Sequence, residues 1–484
     1  MSNFNCEKCG KDFNTKSRYS QHQKRKTPCS KQQLAEDNAV TLTNSLCITD
    51  TNGSSKLVNI DNSTFDELKQ HYDETLNVDK STYKSSNDEP TPISCILEMI
   101  SKIPNELWSK PDLSILDPCC GNGNFNIPIL FELLKHHDKR TILENILEFN
   151  DINESRLENV RRVFCDGTYN LRISNNDFIA CESSKRYDLI VANPPYAKLL
   201  ENGKRASKNH NLIKDFIIKS LSLLKPNGYL LFITPDNWMS YADRNLLIEV
   251  LTELQIIHLD IHSAKKHFKK IGSSFTWYVI QNCPYYMNIS LSGIWKKRVY
   301  TSSVVSQKRK YIPLLYDKTV NSILAKTVDN PLLKKFDIKT SSDLHKYTKA
   351  EFISDEKDEV YKYKLIHTPK QTVYASKPHK FQEGYKVFIS TTDKYAVFID
   401  NCGMTQSIVF ILCANEEQAK KYEKILQHPL YVFINNICRW GNFNNIRILQ
   451  SFPIPDIDYS GNHETIYDYF KITKEEVNYI TENL

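Results

Sequence analysis

The feature that most constrains this chain is a short apolar run, Leu189–Ala192, that ends at Asn193-Pro194-Pro195-Tyr196. A run of that length and composition reads as a strand buried on both faces, as in a parallel sheet covered by helices. Its surroundings agree. Across residues 89–290, strand-like apolar runs alternate with helical stretches, which is the pattern of an α/β fold. Ligands of such sheets bind outside the carboxyl ends of the strands. The residues that follow each run are therefore where chemistry is expected.

One such end is LSILDPCCGNGNF, residues 113–125. An apolar strand ends at Asp117, a glycine-containing turn follows, and a helical stretch runs over Phe125–Leu134. Gly121 and Gly123 let the backbone turn sharply and approach a ligand closely. Two further ends carry acids: Asp151 after ILEFN, and Asp177 in NNDFI.

Asp-Pro-x-x-Gly-x-Gly-x-Phe, built here from Asp117, Gly121, Gly123 and Phe125, resembles the cofactor motif of amino-methyltransferases. The resemblance implies S-adenosylmethionine as cofactor. It also implies that Asp151 holds the ribose hydroxyls, that Ile152 packs on the adenine ring, and that Asp177 with Phe178 meets the adenine amine. Thr91-Pro92 resembles the upstream motif that closes over the methionine end of the cofactor; read plainly, it is a helix N-cap with proline at N1.

Asn193-Pro194-Pro195-Tyr196 resembles the catalytic motif of enzymes that methylate planar amino groups. The chemistry fits the residues. An exocyclic amine on a purine is a poor nucleophile because its lone pair is delocalised. The Asn193 side-chain oxygen and the Pro194 carbonyl can each accept one N–H, localising that lone pair. Both bonds strengthen as positive charge develops, so they favour the transition state. Pro194 and Pro195 stiffen the loop, and Tyr196 offers a ring face for stacking. An adenine inside a duplex must be flipped out to be reached, so a second aromatic wall is expected. Phe268, in HFKKIGSSFTWYVI (267–280), is the first choice and Phe275 the second.

The order of these motifs resembles the gamma class of N6-adenine DNA methyltransferases of restriction–modification systems. That resemblance implies a Rossmann-like α/β methyltransferase domain over 89–290 and an α+β target-recognition domain over 291–484. It further implies a duplex DNA substrate, a companion endonuclease and a monomeric enzyme. The C-terminal region is rich in aromatics, Asn and Lys/Arg, a mix suited to base edges and phosphates. Arg439, Trp440, Asn442 and Asn444 are the candidates for DNA contact.

The first 30 residues form a separate unit. Cys6, Cys9, His22 and Cys29 have the spacing of a tetrahedral zinc site. Phe4, Phe13 and Tyr19 match the small core of a ββα finger, which folds only with its metal. The unit resembles the zinc-finger family but departs from it in its cysteine fourth ligand and long final gap. Seven Lys/Arg against two acids make it basic. Arg18, Lys24 and Arg25 suit a groove or phosphate contact. Residues 31–88 read mainly as a linker, with a short helix near 65–76 opened by a Thr64/Glu67 capping box.

Composition narrows the alternatives. The chain is 40% hydrophobic and 25% charged with net charge +6, has no apolar run of the roughly 18 residues that span a bilayer, and opens without an apolar signal segment. It reads as an intracellular protein that is not secreted. Two other functions fit parts of the sequence. Asn-Pro-Pro-Tyr also serves methylation of RNA bases and of protein glutamine. A decayed methyltransferase could retain only DNA binding, which the intact motif residues oppose.

Overall fold

The computed structural model describes residues 4–5, 12–13, 19–20, 47–49, 55–79, 89–196, 212–243, 245–268, 274–392, 394–457 and 462–484. The chain divides into two units, Met1–Val58 and Asn59–Leu484.

In the first unit, Phe4–Asn5 pairs antiparallel with Asp12–Phe13. Tyr19 and Ser20 are helical. Cys47–Thr49 pairs antiparallel with Ser55–Leu57. The expected zinc ligands Cys6, Cys9, His22 and Cys29 lie outside the described residues, as do Arg18, Lys24 and Arg25.

The second unit is built on a nine-stranded sheet. Its strands are β1 (Ile115–Asp117), β2 (Leu147–Asn150), β3 (Arg172–Ser174), β4 (Tyr187–Ala192) and β5 (Leu224–Pro235). They continue with β6 (Leu254–Ile261), β7 (Phe275–Pro284), β8 (Ile289–Trp295) and β9 (Arg298–Val304). The spatial order is β3-β2-β1-β4-β5-β7-β6-β8-β9. Strands β3 to β5 are parallel, and β7 runs antiparallel to both β5 and β6. The order reverses between β1 and β4, which makes their carboxyl ends the topological switch point. All of β4 is buried, as an apolar strand between two helical layers requires.

Two sequence expectations shift. The catalytic sheet does not end near residue 290: β8 pairs parallel with β6, and β9 adds antiparallel to β8. The region beyond is α+β, with a four-stranded sheet, a three-stranded sheet and a helical C-terminus. One apolar core runs from Leu116 in the catalytic sheet to Ile480 in the last helix, so the halves share their interior. Residues 59–79, read from composition as linker, belong to the folded unit. The predicted capping box forms: Thr64 N–H donates to Glu67 Oε2 (2.7 Å), and Glu67 N–H to Thr64 Oγ1 (3.3 Å). Helix α1 (Phe65–His71) continues into a wider turn over Tyr72–Leu76. There Tyr72 is fully buried and donates to the Asn122 carbonyl (2.7 Å), bracing the loop after β1.

Candidate active site

The loop after β1 is tight because two glycines take left-handed backbone, Gly121 at φ +55 and Gly123 at φ +88. A Cβ on Gly123 would stand 2.9 Å from the Phe164 ring, so this position tolerates no side chain. Helix Asn126–Leu133 then begins, with Phe125 buried at its N-cap.

Three acids lie at or beyond strand ends here. Asp117 is buried and accepts from the Cys119 N–H (3.3 Å) and the Asn126 amide (3.2 Å). Burial pushes its carboxyl well above the ordinary range, and the Asp151 charge adds to this against those two hydrogen bonds. Asp151 accepts the Gly121 N–H on Oδ2 (2.9 Å) and the Asn153 N–H on Oδ1 (2.8 Å). Beside it Ile152 is 60% exposed, an apolar face left open next to an acid. Asp177 is exposed and accepts from the Ile179 N–H (3.0 Å), while Phe178 is buried against Phe216. Asn150 bridges the Pro118 carbonyl (2.9 Å) and the Asn176 carbonyl (3.1 Å), so one side chain ties the loops after β1 and β3.

These features fit S-adenosylmethionine. Thr91, Cys119, Gly121, Phe125 and Asn193 line one cleft; Asp151 is bonded to its Gly121 edge, and exposed Ile152 follows that acid. A buried carboxyl held up by burial suits an ammonium group, which would restore its charge.

Asn193 closes the same cleft from the end of β4. Its amide nitrogen donates to the Glu89 carbonyl (2.9 Å) and to Thr91 Oγ1 (3.1 Å). Its oxygen accepts the Tyr196 hydroxyl (2.7 Å). The Glu89 carbonyl can only accept, so the amide's orientation is fixed by its partners. Thr91 is therefore not a helix cap: the cap of α2 (Ile93–Ile100) is Pro92, and the Thr91 hydroxyl serves Asn193 while its carbonyl accepts the Asn124 amide (2.9 Å). Pro194 is buried and Pro195 exposed. Cys119 lies with its Sγ 3.6 Å from the Asn193 carbonyl, joining the two motifs.

The aromatic neighbours form a series. Tyr196 lies 6.0 Å from Phe275, and Phe275 lies 4.8 Å from Phe268 between ring centroids. Phe268 and Phe275, the first- and second-choice rings, are both buried and tilted 32° against each other, and Phe275 lies next to Tyr196.

The C-terminal candidates separate. Asn444 is buried and committed: its amide donates to the Ser390 carbonyl (2.8 Å), and its oxygen accepts from Asn435 (3.0 Å). It holds the turn, which corrects the reading of it as a DNA contact. Trp440 is half-buried, with its indole N–H on the Ile312 carbonyl (2.8 Å). Arg439 is partly exposed, donates to the Asn442 carbonyl (2.8 Å), and shares an open turn with exposed Asn442 and Phe443.

Sequence reading missed Tyr72, Asn124, Asn150 and Cys119. The last three sit inside or beside the motifs and were visible as polar residues at strand ends. Tyr72 has no local signal, because its partner is 50 residues away.

Strand order and loop positions define a Rossmann-like methyltransferase fold. Residues 93–268 match the family model described as Eco57I restriction-modification methylase. The chain is similar to the type II methyltransferase M.VspI of Vibrio sp. (strain 343), 29% identical over 206 residues, 40% of this chain and 47% of that protein. It is also similar to an uncharacterized adenine-specific methylase of Mycoplasma pneumoniae, 23% identical over 53% of this chain and 82% of that protein. The chain thus spans about half the length of the Vibrio relative. Among solved structures, a nuclease-deletion mutant of the type ISP restriction-modification enzyme LlaGI, with a DNA substrate mimic, shares the fold at TM-score 0.51 and 10% identity, over 81% of this chain and 55% of that one. Among the described residues, no group of three or more His, Cys, Asp or Glu is placed to hold a metal, and no helix is long and apolar enough to cross a membrane.

Proposed function

We propose that this protein is a site-specific DNA methyltransferase that transfers a methyl group from S-adenosylmethionine to N6 of a flipped-out adenine. In this reading it is a monomeric, gamma-class modification enzyme that partners a restriction endonuclease. The observation that carries it is Asn193, whose amide is locked so that Oδ1 points to Tyr196 at the strand end next to the glycine cradle.

Bound S-adenosylmethionine supplies an electrophilic methyl group on a sulfonium. The chain does the rest. Asp151 and Ile152 would take the ribose and adenine of the cofactor, Asp177 and Phe178 the adenine edge, and Asp117 and Thr91 the methionine end. Asn193 Oδ1, released by Tyr196, and the Pro194 carbonyl accept the two N–H groups of the target amine. Those acceptors stabilise the positive charge that develops on nitrogen. Tyr196 and the Phe275–Phe268 pair stack on the base. Arg439 and Asn442 face DNA from the C-terminal turn. The N-terminal unit binds zinc through Cys6, Cys9, His22 and Cys29 and presents Arg18, Lys24 and Arg25 to phosphate.

The test is methyl transfer from labelled S-adenosylmethionine to unmethylated duplex DNA, with the product nucleosides resolved. Label in N6-methyladenine is expected. Cofactor binding with label only in RNA or protein would overturn the proposal.

A further inference from the structure

The helix that follows Thr91 also reaches the turn that carries Phe268. Ser94 and Glu98 lie four residues apart on α2, and so on one face. Both hold His267: Ser94 Oγ is 2.9 Å from Nδ1, and Glu98 Oε2 is 2.9 Å from Nε2. Both nitrogens of the imidazole are engaged, from residues 173 and 169 positions away. Glu98 also takes the Lys266 ammonium at 2.7 Å. Burial alone would raise the Glu98 carboxyl; the hydrogen bonds from Lys266 and His267 hold it below its ordinary value.

His267 directly precedes Phe268. The turn that carries both is fixed from below by Asp260, which accepts the Ala264 N–H (3.0 Å), the Ser292 hydroxyl (3.0 Å) and the Ser263 hydroxyl. The turn starts at His262, a non-glycine residue at φ +69. Such a conformation persists only where surrounding contacts over-determine it. One rigid helix thus carries Thr91, the orienter of Asn193, immediately before its N-terminus and the Ser94–Glu98 clamp on its exposed face.

We infer that Ser94 and Glu98 are positioning residues that grip His267 and thereby couple the cofactor end of the site to the Phe268–Phe275 wall. Settling the 89–91 segment on the cofactor also settles α2, and α2 sets the wall against which the target base stacks. The enzyme then takes its base productively only after its cofactor. This rests on the proposed function for the identity of the base, but the mechanical link does not.

The experiment has two readouts on the full-length protein. The first is backbone hydrogen exchange over 262–268, with and without S-adenosylhomocysteine as probe. Wild type should gain protection there when the probe binds. Glu98→Ala and His267→Ala should bind the probe within about twofold of wild type but lose that gain. Glu98→Gln, which still offers an oxygen to His267, should keep most of it. The second readout is methyl transfer to plasmid DNA: Glu98→Ala should raise KM for DNA about tenfold at nearly unchanged cofactor KM, the size expected for losing a charge-assisted hydrogen bond. Equal protection in wild type and Glu98→Ala would overturn the coupling, whatever the substrate. So would equal loss of probe binding and DNA use, which marks a merely structural role. A wild type that shows the protection pattern but transfers nothing to DNA would leave the link standing and sink the proposed substrate.

Discussion

On the β1–β3 side of the switch point, loops are held by backbone groups and short polar side chains. Gly121 gives its N–H to Asp151, and Asn150 ties two loops through their carbonyls. On the β4–β7 side, the rings of Tyr196, Phe275 and Phe268 lie in a row, and His267 beside Phe268 is held by Glu98 from α2. The first arrangement suits a ligand that is the same in every turnover, because backbone geometry admits little adjustment. The second suits a guest that arrives attached to a polymer, because aromatic faces accept a ring without demanding one fixed approach.

The largest expected effect tests the boundary between the two sides. Asn193→Ala should lower kcat by at least about 100-fold, with DNA affinity within a few-fold of wild type by filter binding. Near-normal turnover would break the mechanism. Next, Asp151→Ala removes the acceptor of the Gly121 N–H and the acid proposed to hold the ribose together. Cofactor affinity by calorimetry should fall roughly 10- to 100-fold, while DNA affinity holds. A parallel loss of DNA affinity would erase the division between the sides. Third, Asn444→Ala should destabilise the fold by about 1–3 kcal/mol in denaturant titration, since it strands the Asn435 amide donor and deprives the Ser390 carbonyl of a bond. A stable variant with weakened DNA binding would restore Asn444 as a contact.

The smallest effect is a pH slope. Burial raises the Asp260 carboxyl to about 6 against the hydrogen bonds it accepts. A carboxyl raised on folding favours the native state while it is protonated. That contribution is complete below the unfolded value of 3.8 and is lost as pH climbs through about 6. Between pH 5 and 7 the stability from this group should fall by roughly 1 kcal/mol. Asp260→Asn should flatten that part of the wild-type profile. An unchanged slope would assign it to another group.

The sequence disclosed most where structure is local. The capping box at Thr64 and Glu67, the glycine turn at 121–123 and the buried run at β4 each depend on neighbours a few residues away, and each formed as read. It disclosed least where a partner is distant. Strands β8 and β9 look like any C-terminal pair until β6 is seen beside them. Asn444 is polar and follows a glycine turn, so it reads as surface, and only the fold reveals the buried carbonyl it serves. His267 likewise carries no mark of the helix some 170 residues earlier that grips it.

The Tyr196 hydroxyl donates to Asn193 Oδ1 at 2.7 Å, so this acceptor already holds a donor of the protein's own. An adenine amine that displaces the phenol would exchange one donor for another at Oδ1, which stays satisfied. A base that presents only a carbonyl at that place would evict the phenol and leave Oδ1 facing a second acceptor, a stranding that costs about 1–3 kcal/mol. Under the proposed function the phenol would act as a comparator: each arriving base would be measured against a reference donor already in place.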